Sequence, residues 1–176
     1  NNTVIPIFNV TGDHTTLSIG IAESTASNPS SVLLLDLDAT VGDEIAVACA
    51  GESVTEGQID FFTAAEPIRG GLTPLGSLVT PGNPDDIAGS LSPKDDEDDW
   101  LTISLPGSKK VAKASGSSSS AFTWSFELES ITNIGVSPTS LSVGDLNGDG
   151  IEDVVTTCPQ SDVVAVLTGN ADGTLS

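Results

Sequence analysis

The residues of this chain best suited to chemistry lie in one short stretch, DLNGDGIED, which runs from Asp145 to Asp153. Asp145, Asn147 and Asp149 place side-chain oxygens at alternate positions, and Asp153 adds a carboxylate four residues later. Gly150 permits the sharp turn that such a loop needs. Hard oxygen donors at this density suit Ca²⁺, which takes about six to eight oxygen ligands. The stretch therefore predicts a calcium loop, with a metal-free Asx-type turn as the alternative, because Asp, Asn and Gly also dominate ordinary turns.

The residues that follow the loop indicate which kind of loop it is. Its opening resembles an EF-hand, but that motif requires a Glu at its twelfth position and a helix afterwards. Thr156 holds that position, and the run VVTT is rich in β-branched residues, which disfavour a helix and favour a strand. We therefore expect the loop to connect two strands.

This strand–loop–strand pattern, followed one hairpin later by GNADGTLS, resembles the FG-GAP repeat of the FG-GAP/VCBS (integrin-α-like) family. The resemblance implies a fold of β-propeller blades. It also implies that Ca²⁺ is bound by the side chains of Asp145, Asn147, Asp149 and Asp153 and by the main-chain carbonyl of Ile151. All four side-chain positions match the family pattern.

The unit that carries this loop recurs along the chain. Three segments align without a gap, namely NPSSVLLLDLDATVGDEIAVACA, NPDDIAGSLSPKDDEDDWLTISL and SPTSLSVGDLNGDGIEDVVTTCP. Their prolines, Pro29, Pro84 and Pro138, are 55 and 54 residues apart. The aligned apolar residues are Val32, Ile87 and Leu141, and the aligned acidic residues are Glu44, Asp99 and Asp153. One supersecondary unit is therefore copied three times.

The repeat predicts the fold class and the domain organisation. Each unit contains short strands between Gly and Pro, and no stretch has a helical period. Four strands in about 54 residues are typical of a propeller blade, so we predict an all-β chain of blades with four antiparallel strands each. The predicted units are late strands of a preceding blade at 1–27, a blade with a degenerate loop at 28–82, a blade with an acidic loop and a Ser-rich insertion at 83–136, and an incomplete blade with the calcium loop at 137–176. Because propellers close with about four to eight blades, we expect a segment of a larger propeller or of an assembly.

Composition restricts the partners of this chain. Its 176 residues include 25 acidic and 5 basic ones, which gives a formal net charge of −20. This charge argues against nucleic acid and anionic membrane surfaces as partners. The apolar runs, such as IAVACA and VVAVL, are far shorter than the roughly 20 residues of a membrane helix, so we predict no membrane insertion.

The loops of the other two units depart from the calcium pattern. The first keeps Asp36 and Asp38 but has Thr40 and Val41 where Asp149 and Gly150 stand in the third unit. We expect a metal-free turn there. The second has Leu91, Pro93 and Asp95 at the ligand positions and adds Lys94. No calcium is expected in that loop.

Several further residues permit other chemistry. The acidic run Asp95–Asp99 could hold a cation or supply a glycosidase-type pair of carboxylates, although such runs usually lie exposed. Trp100 and Trp124 could bind sugar, but aromatic residues on strands usually pack in a core. The lysines Lys109, Lys110 and Lys113 precede SGSSSS, which we predict to be a flexible hairpin tip. They could dock an acidic face of a neighbouring subunit or simply be solvated.

The remaining reactive residues support no catalytic site. His14 is the single histidine, so the sequence gives little support for a hydrolase triad. Cys49 and Cys158 stand at equivalent positions of separate units and are predicted to be buried and unpaired. Asn1 and Asn9 fit the N-glycosylation pattern, which is short and arises often by chance.

We therefore predict a calcium-stabilised β-propeller repeat protein that is not an enzyme and has a structural, adhesion or assembly role. The resemblance, the acidic Ser/Thr-rich surface and the calcium affinity typical of extracellular modules favour an extracellular or cell-surface location. Expected partners are other protein chains or further repeats of the same chain, and possibly glycans. Two alternatives stay open, namely a subunit of an extracellular filament built by strand sharing, and a carbohydrate-binding or carbohydrate-cleaving propeller.

Overall fold

The computed structural model describes residues 2–5, 7–9, 17–19, 23–35, 44–53, 55–64, 71–89, 100–119 and 123–176. Within these ranges the regular elements are β-strands and two short 3-10 turns, and there is no α-helix. The predicted all-β class is confirmed.

Four short strands open the chain: β1 (Thr3–Val4), β2 (Ile7–Asn9), β3 (Leu17–Ile19) and β4 (Glu23–Ser24). β1 pairs with β4 and β2 pairs with β3, in both cases antiparallel. Val4 and Ala26 pack against buried residues of the sheet that follows, including Cys49 and Phe62. The N-terminal strands therefore cover part of one face of that sheet.

The first sheet is an antiparallel meander whose strand order follows the chain: β5 (Pro29–Leu35), β6 (Glu44–Ser53), β7 (Glu56–Ala64) and β8 (Leu72–Thr80). Strand β6 shows why both faces of this sheet are buried. Side chains alternate between the faces of a strand, and here both alternating sets are apolar. Ala46 and Ala48 join one core, whereas Val47 and Cys49 join another.

The second sheet has the same consecutive order: β9 (Ile87–Gly89), β10 (Trp100–Leu105), β11 (Lys110–Ser119) and β12 (Thr123–Asn133). Its strand β10 is buried along nearly its whole length. Leu101 and Ile103 belong to the core shared with the first sheet. On the other face, the Thr102 hydroxyl donates a hydrogen bond to the Ala88 carbonyl at 3.0 Å, which satisfies a polar group that burial would otherwise destabilise.

The Ser-rich insertion differs from its prediction. The hairpin is present, but Ser115–Ser119 are not its flexible tip, because they continue β11 and pair with residues of β12 up to Ser119 opposite Thr123. Serine has no strong strand preference of its own. The backbone ladder to β12 therefore determines the conformation of this segment.

The third sheet contains β13 (Leu141–Gly144), β14 (Asp153–Cys158) and β15 (Val163–Leu167), again in chain order. Residues 168–176 follow as a hairpin, which we call the C-terminal hairpin. The Thr168 N–H donates to the Ser176 carbonyl at 2.8 Å, and the Ser176 N–H donates to the Thr168 carbonyl at 2.9 Å. Leu175 of this hairpin is buried.

A short turn is repeated between the second and third sheets. One 3-10 turn, Pro106–Ser108, follows β10, and another, Pro159–Ser161, follows β14. The next residues, Lys109 and Asp162, both adopt the left-handed conformation, with φ of 58° and 52°. Two chain segments with different sequences thus share one unusual backbone geometry, as expected of copies of one unit.

The sheets stack face to face. The first core lies between the first and second sheets, and its buried residues include Leu35, Phe61 and Ile103. Within it the rings of Phe61 and Phe126 are stacked, with centroids 3.7 Å apart. A further core, which includes Val111 and Val154, joins the second and third sheets. Successive four-stranded sheets packed in this way are blade-like.

Burial along the aligned apolar column follows the position of each sheet in the stack. Ile87 is 4% exposed in the first core, and Leu141 packs against the core between the second and third sheets. Val32, the equivalent residue of the first sheet, is 62% exposed. The N-terminal strands cover other residues of that face, so Val32 marks an apolar surface that no described residue buries.

Both cysteines are free and buried, as predicted. Burial first, and the neighbouring Asp60 carboxylate second, raise the pKa of the Cys49 thiol to about 11. The thiol therefore stays protonated at physiological pH and is a poor nucleophile. Both residues are small core residues of their strands.

Asp86 connects all three sheets. Its Oδ1 accepts a hydrogen bond from the Ser31 hydroxyl of the first sheet at 2.7 Å, and its Oδ2 accepts one from the Leu141 N–H of the third sheet at 2.8 Å. Oδ1 also accepts from the Ile87 N–H at 3.0 Å. One side chain thus fixes the first strands of three successive units relative to each other.

We predict that Asp86→Ala lowers the free energy of unfolding by about 1–3 kcal/mol, because it leaves a hydroxyl and two backbone N–H groups without their partner. Urea denaturation of the variant and of wild type measures the difference. Asp85→Ala is the matched control, since Asp85 has the same side chain in an exposed position, and we expect it to change stability by less than about 0.5 kcal/mol. Equal losses in the two variants would contradict the bridging role of Asp86.

Candidate calcium site

The candidate loop connects two paired strands. β13 and β14 are antiparallel, and their register closes with Gly144 opposite Asp153. The predicted strand–loop–strand form is therefore confirmed, and β14 stands where an EF-hand would place its second helix. The pairing of β13 with β14 holds the two ends of the loop together, so that side chains several residues apart in sequence lie in one small volume.

Two glycines give the loop its shape. Gly148 and Gly150 have φ of 81° and 83°, a region that side-chain-bearing residues rarely adopt. A Cβ atom at either position would meet no atom within 4 Å. The backbone conformation, rather than lack of space, therefore requires glycine at these positions.

Asp145 organises the first half of the loop. Its Oδ1 accepts a hydrogen bond from the Gly148 N–H at 2.7 Å, and its Oδ2 accepts one from the Gly150 N–H at 2.9 Å. These two N–H groups, Gly150 before Gly148, hold the pKa of the Asp145 carboxyl below its ordinary value. Asp145 is therefore ionised at neutral pH, as a metal ligand must be.

Asn147 and Asp149 lie close together on the exposed side of the loop. The Asp149 N–H donates to Oδ1 of Asn147 at 2.8 Å, and the Ile151 N–H donates to Oδ1 of Asp149 at 2.7 Å. The Asn147 amide also donates to Oδ2 of Asp149 at 2.9 Å. Side-chain oxygens at alternate positions thus turn toward the loop backbone.

Asp153 is the buried member of the set. It is 0% exposed at the start of β14. Its Oδ2 accepts from the Leu146 N–H inside the loop at 3.0 Å, and its Oδ1 accepts from the Gly169 N–H of the C-terminal hairpin at 2.9 Å. Because each carboxylate oxygen has two lone pairs, both oxygens keep one position for a further ligand.

The donor set fits calcium in its chemistry. The four predicted side chains offer calcium only oxygen ligands, from three carboxylates and the amide carbonyl of Asn147, and oxygen is the ligand type that Ca²⁺ prefers. In the described part of the chain, no three His, Cys, Asp or Glu side chains are arranged as a metal-binding group. The carboxylate oxygens of Asp145, Asp149 and Asp153 instead accept hydrogen bonds from backbone N–H groups. The assignment of these side chains and of the Ile151 carbonyl as ligands stays a prediction.

The degenerate loops of the first and second units lie within 36–43 and 90–99, outside the described residues. These ranges include Asp36, Asp38 and the run Asp95–Asp99. Glu44, which is aligned with Asp153, is described and is 2% exposed. Glu44 and Asp153 both begin the second strand of their unit, so the acidic column places a buried carboxylate at the same point of two sheets.

The alternative sugar site is not assembled by the described residues. Trp100 is half-buried and packs against the core between the second and third sheets. The ammonium nitrogen of Lys113 lies 4.3 Å from the centroid of its ring. The side chain of Trp124 and the run Asp95–Asp99 lie outside the described residues. The contacts of Trp100 are those of a packing residue.

Lys113 also has partners inside the chain. Its Nζ lies 3.5 Å from Oε2 of Glu129 and donates to the Gly173 carbonyl at 3.4 Å. Lys109 caps the 3-10 turn in the left-handed conformation. Lys113 therefore connects the second sheet to the C-terminal hairpin.

One site residue was missed from the sequence. Gly169 donates its N–H to Asp153, and a Cβ there would overlap the Glu152 carbonyl oxygen and come 2.7 Å from Cγ2 of Ile151. The available signal was the glycine of TGNADG directly after an apolar strand, which resembles an ordinary turn. No local pattern indicates that this glycine touches a loop formed many residues earlier.

No helix among the described residues is long and apolar enough to cross a membrane.

Comparison with known proteins identifies the third unit. Residues 137–176 match the sequence model of the FG-GAP repeat family, and no curated protein matches the chain. The matched segment contains all of the third sheet, the candidate loop and the C-terminal hairpin. We therefore assign residues 137–176 to the FG-GAP repeat family, whose repeats are typical of β-propeller proteins.

Proposed function

We propose that this chain is a calcium-stabilised β-propeller repeat protein of the cell exterior, with an adhesion or assembly role and no catalytic activity. The observation that carries the proposal is the loop between β13 and β14, in which an all-oxygen set of side chains lies within an FG-GAP repeat. FG-GAP repeats commonly bind calcium and are typically extracellular. The residues that would hold the ion are Asp145, Asn147, Asp149 and Asp153, together with the carbonyl of Ile151.

Electrostatics gives calcium a stabilising role in this loop. The formal net charge of the chain is −20, and three of its carboxylates, Asp145, Asp149 and Asp153, lie within nine residues of sequence in the loop. Three like charges held in one short loop repel each other. Bound calcium would supply positive charge among these oxygens. Pairing of β13 with β14 and the Leu146–Asp153 hydrogen bond hold both ends of the loop in place, so calcium binding would require the side chains of the loop, rather than its ends, to reorient.

The proposed extracellular location is supported by the repeat family, whose members are typically extracellular. Calcium sites of extracellular modules have dissociation constants of about 10⁻⁴–10⁻³ M, and we propose an affinity in that range for this loop. Outside the cell such a site is loaded continuously. Calcium there acts as a structural ion rather than as a signal.

We predict that calcium raises the melting temperature of wild type relative to EDTA and leaves that of Asp149→Ala unchanged. A hundredfold excess of calcium over its dissociation constant stabilises the folded state by about 2.7 kcal/mol, which corresponds to a shift of roughly 5–11 °C for a chain of this size. Thermal unfolding followed by circular dichroism measures the shift.

Asp85→Ala is the matched control for that experiment. Asp85 has the same side chain in an exposed position and lies outside both the loop and the C-terminal hairpin. The calcium shift should persist in this variant. A wild-type melting temperature that is identical in calcium and EDTA would overturn the proposal.

Assembly through the ends of the stack is the second candidate, favoured by exposed apolar residues on both outer faces. Val164 and Val166 on β15 are 62% and 49% exposed. At the other end, Val32 and Leu34 on β5 are exposed as well. The corresponding faces inside the chain are covered by the neighbouring sheet. A further unit, from this chain or from another copy, would bury these residues in the same way.

We predict that the wild-type chain self-associates with rising concentration and that Val164→Asp weakens the association about tenfold, or ~1.4 kcal/mol. The variant places a charge on the proposed contact face. Ile131→Asp is the control, because Ile131 is an exposed apolar residue on the edge strand β12 and lies on the face of the second sheet that points toward the first sheet. Sedimentation velocity at several concentrations measures both. A chain that is monomeric throughout, or two variants that behave alike, would contradict assembly through this face.

A further inference from the structure

We infer, on the basis of the calcium function proposed above, that the loop and the C-terminal hairpin are energetically coupled through Asp153. Loading the loop then orders residues 168–176 and strengthens the contact between the second and third sheets. Calcium binding to the loop would thus strengthen the packing of the third sheet on the second, in addition to holding β13 to β14.

Asp153 is the physical link between the two segments. One of its oxygens accepts from Leu146 in the loop, and the other accepts from Gly169 in the hairpin. The side chain is fully buried, so neither bond is exchanged freely for a bond to water. A change that moves or reorients the carboxylate at one bond is therefore transmitted to the other.

Close packing reinforces the link. Gly169 lies so near Ile151 and Glu152 that it has no room for a side chain. These two residues end the loop, directly before Asp153. The hairpin backbone thus rests on the part of the loop that calcium would fix, and the loop and the hairpin cannot shift independently.

The hairpin in turn is anchored to the second sheet. Leu175 is buried in the core that also contains Val111 of β11. The Thr132 hydroxyl of β12 donates to the Leu175 carbonyl at 3.3 Å. Lys113 of β11 donates to the Gly173 carbonyl. A continuous set of contacts therefore runs from the loop through Asp153 and the hairpin to the neighbouring unit.

Coupling of this kind is reciprocal: if calcium stabilises the hairpin contact, loss of that contact must weaken calcium binding by the same factor. Leu175→Ala removes the buried anchor of the hairpin and touches no proposed ligand. Thr132→Val is a milder variant that removes one hydrogen bond and keeps the side-chain shape. Val164→Ala is the control, because Val164 lies in the same sheet on the face away from the second sheet.

The test is calorimetric titration of the full chain and its variants with calcium chloride, after circular dichroism shows that each variant keeps its strands. We expect Leu175→Ala to bind calcium more weakly on the order of fivefold, Thr132→Val to shift in the same direction, and Val164→Ala to match wild type. Amide hydrogen exchange of residues 168–176 in wild type should slow when calcium is added. If Leu175→Ala does not fold, Thr132→Val and the exchange measurement decide.

The outcomes separate this inference from the proposed function. Absence of calcium binding by wild type would overturn the proposed function and the coupling together. Calcium binding by wild type, with equal affinity in Thr132→Val and Val164→Ala and with unchanged exchange in the hairpin, would overturn the coupling alone.

Discussion

The buried carboxylate of Asp153 imposes the constraint on which the third unit depends. A carboxylate removed from water is tolerated only where polar partners compensate its lost hydration, and here the Leu146 and Gly169 N–H groups do so. Those two donors come from the loop before β14 and from the hairpin after β15. The hydrogen bonds to this one side chain thus fix three segments of the unit relative to each other, and the candidate calcium loop is one of them.

The stack as a whole follows from burial of sheet faces against neighbouring sheets. A strand such as β10, with Ile103 on one side and Thr102 on the other, can be buried throughout only if a sheet packs on each face. Asp86 adds directional bonds to this nonspecific packing, because it joins Ser31 and Leu141 across three units. Apolar contact thus brings the sheets together and the carboxylate sets their alignment. Val32 and Val164 are exposed, so they mark the parts of the two outer faces that no described residue covers.

The sequence predicted the features that depend on local pattern and repetition. The β-branched run after the loop predicts the strand β14 next to the candidate site, and the short strands between Gly and Pro predict the all-β class. It did not predict features set by contacts distant in sequence. Pairing with β12 makes Ser119 part of a strand despite its composition. The role of Gly169 depends on the folded position of Glu152, which no short window of sequence shows.

A crystal structure of the chain grown with calcium, with anomalous scattering data, tests the central claim most directly. The account predicts one metal ion in the loop between β13 and β14. Oxygens of Asp145, Asn147, Asp149 and Asp153 and the carbonyl of Ile151 should lie about 2.3–2.6 Å from it. A loop that contains no ion at millimolar calcium, with Asp145 and Asp149 still hydrogen-bonded only to backbone N–H groups, would contradict it.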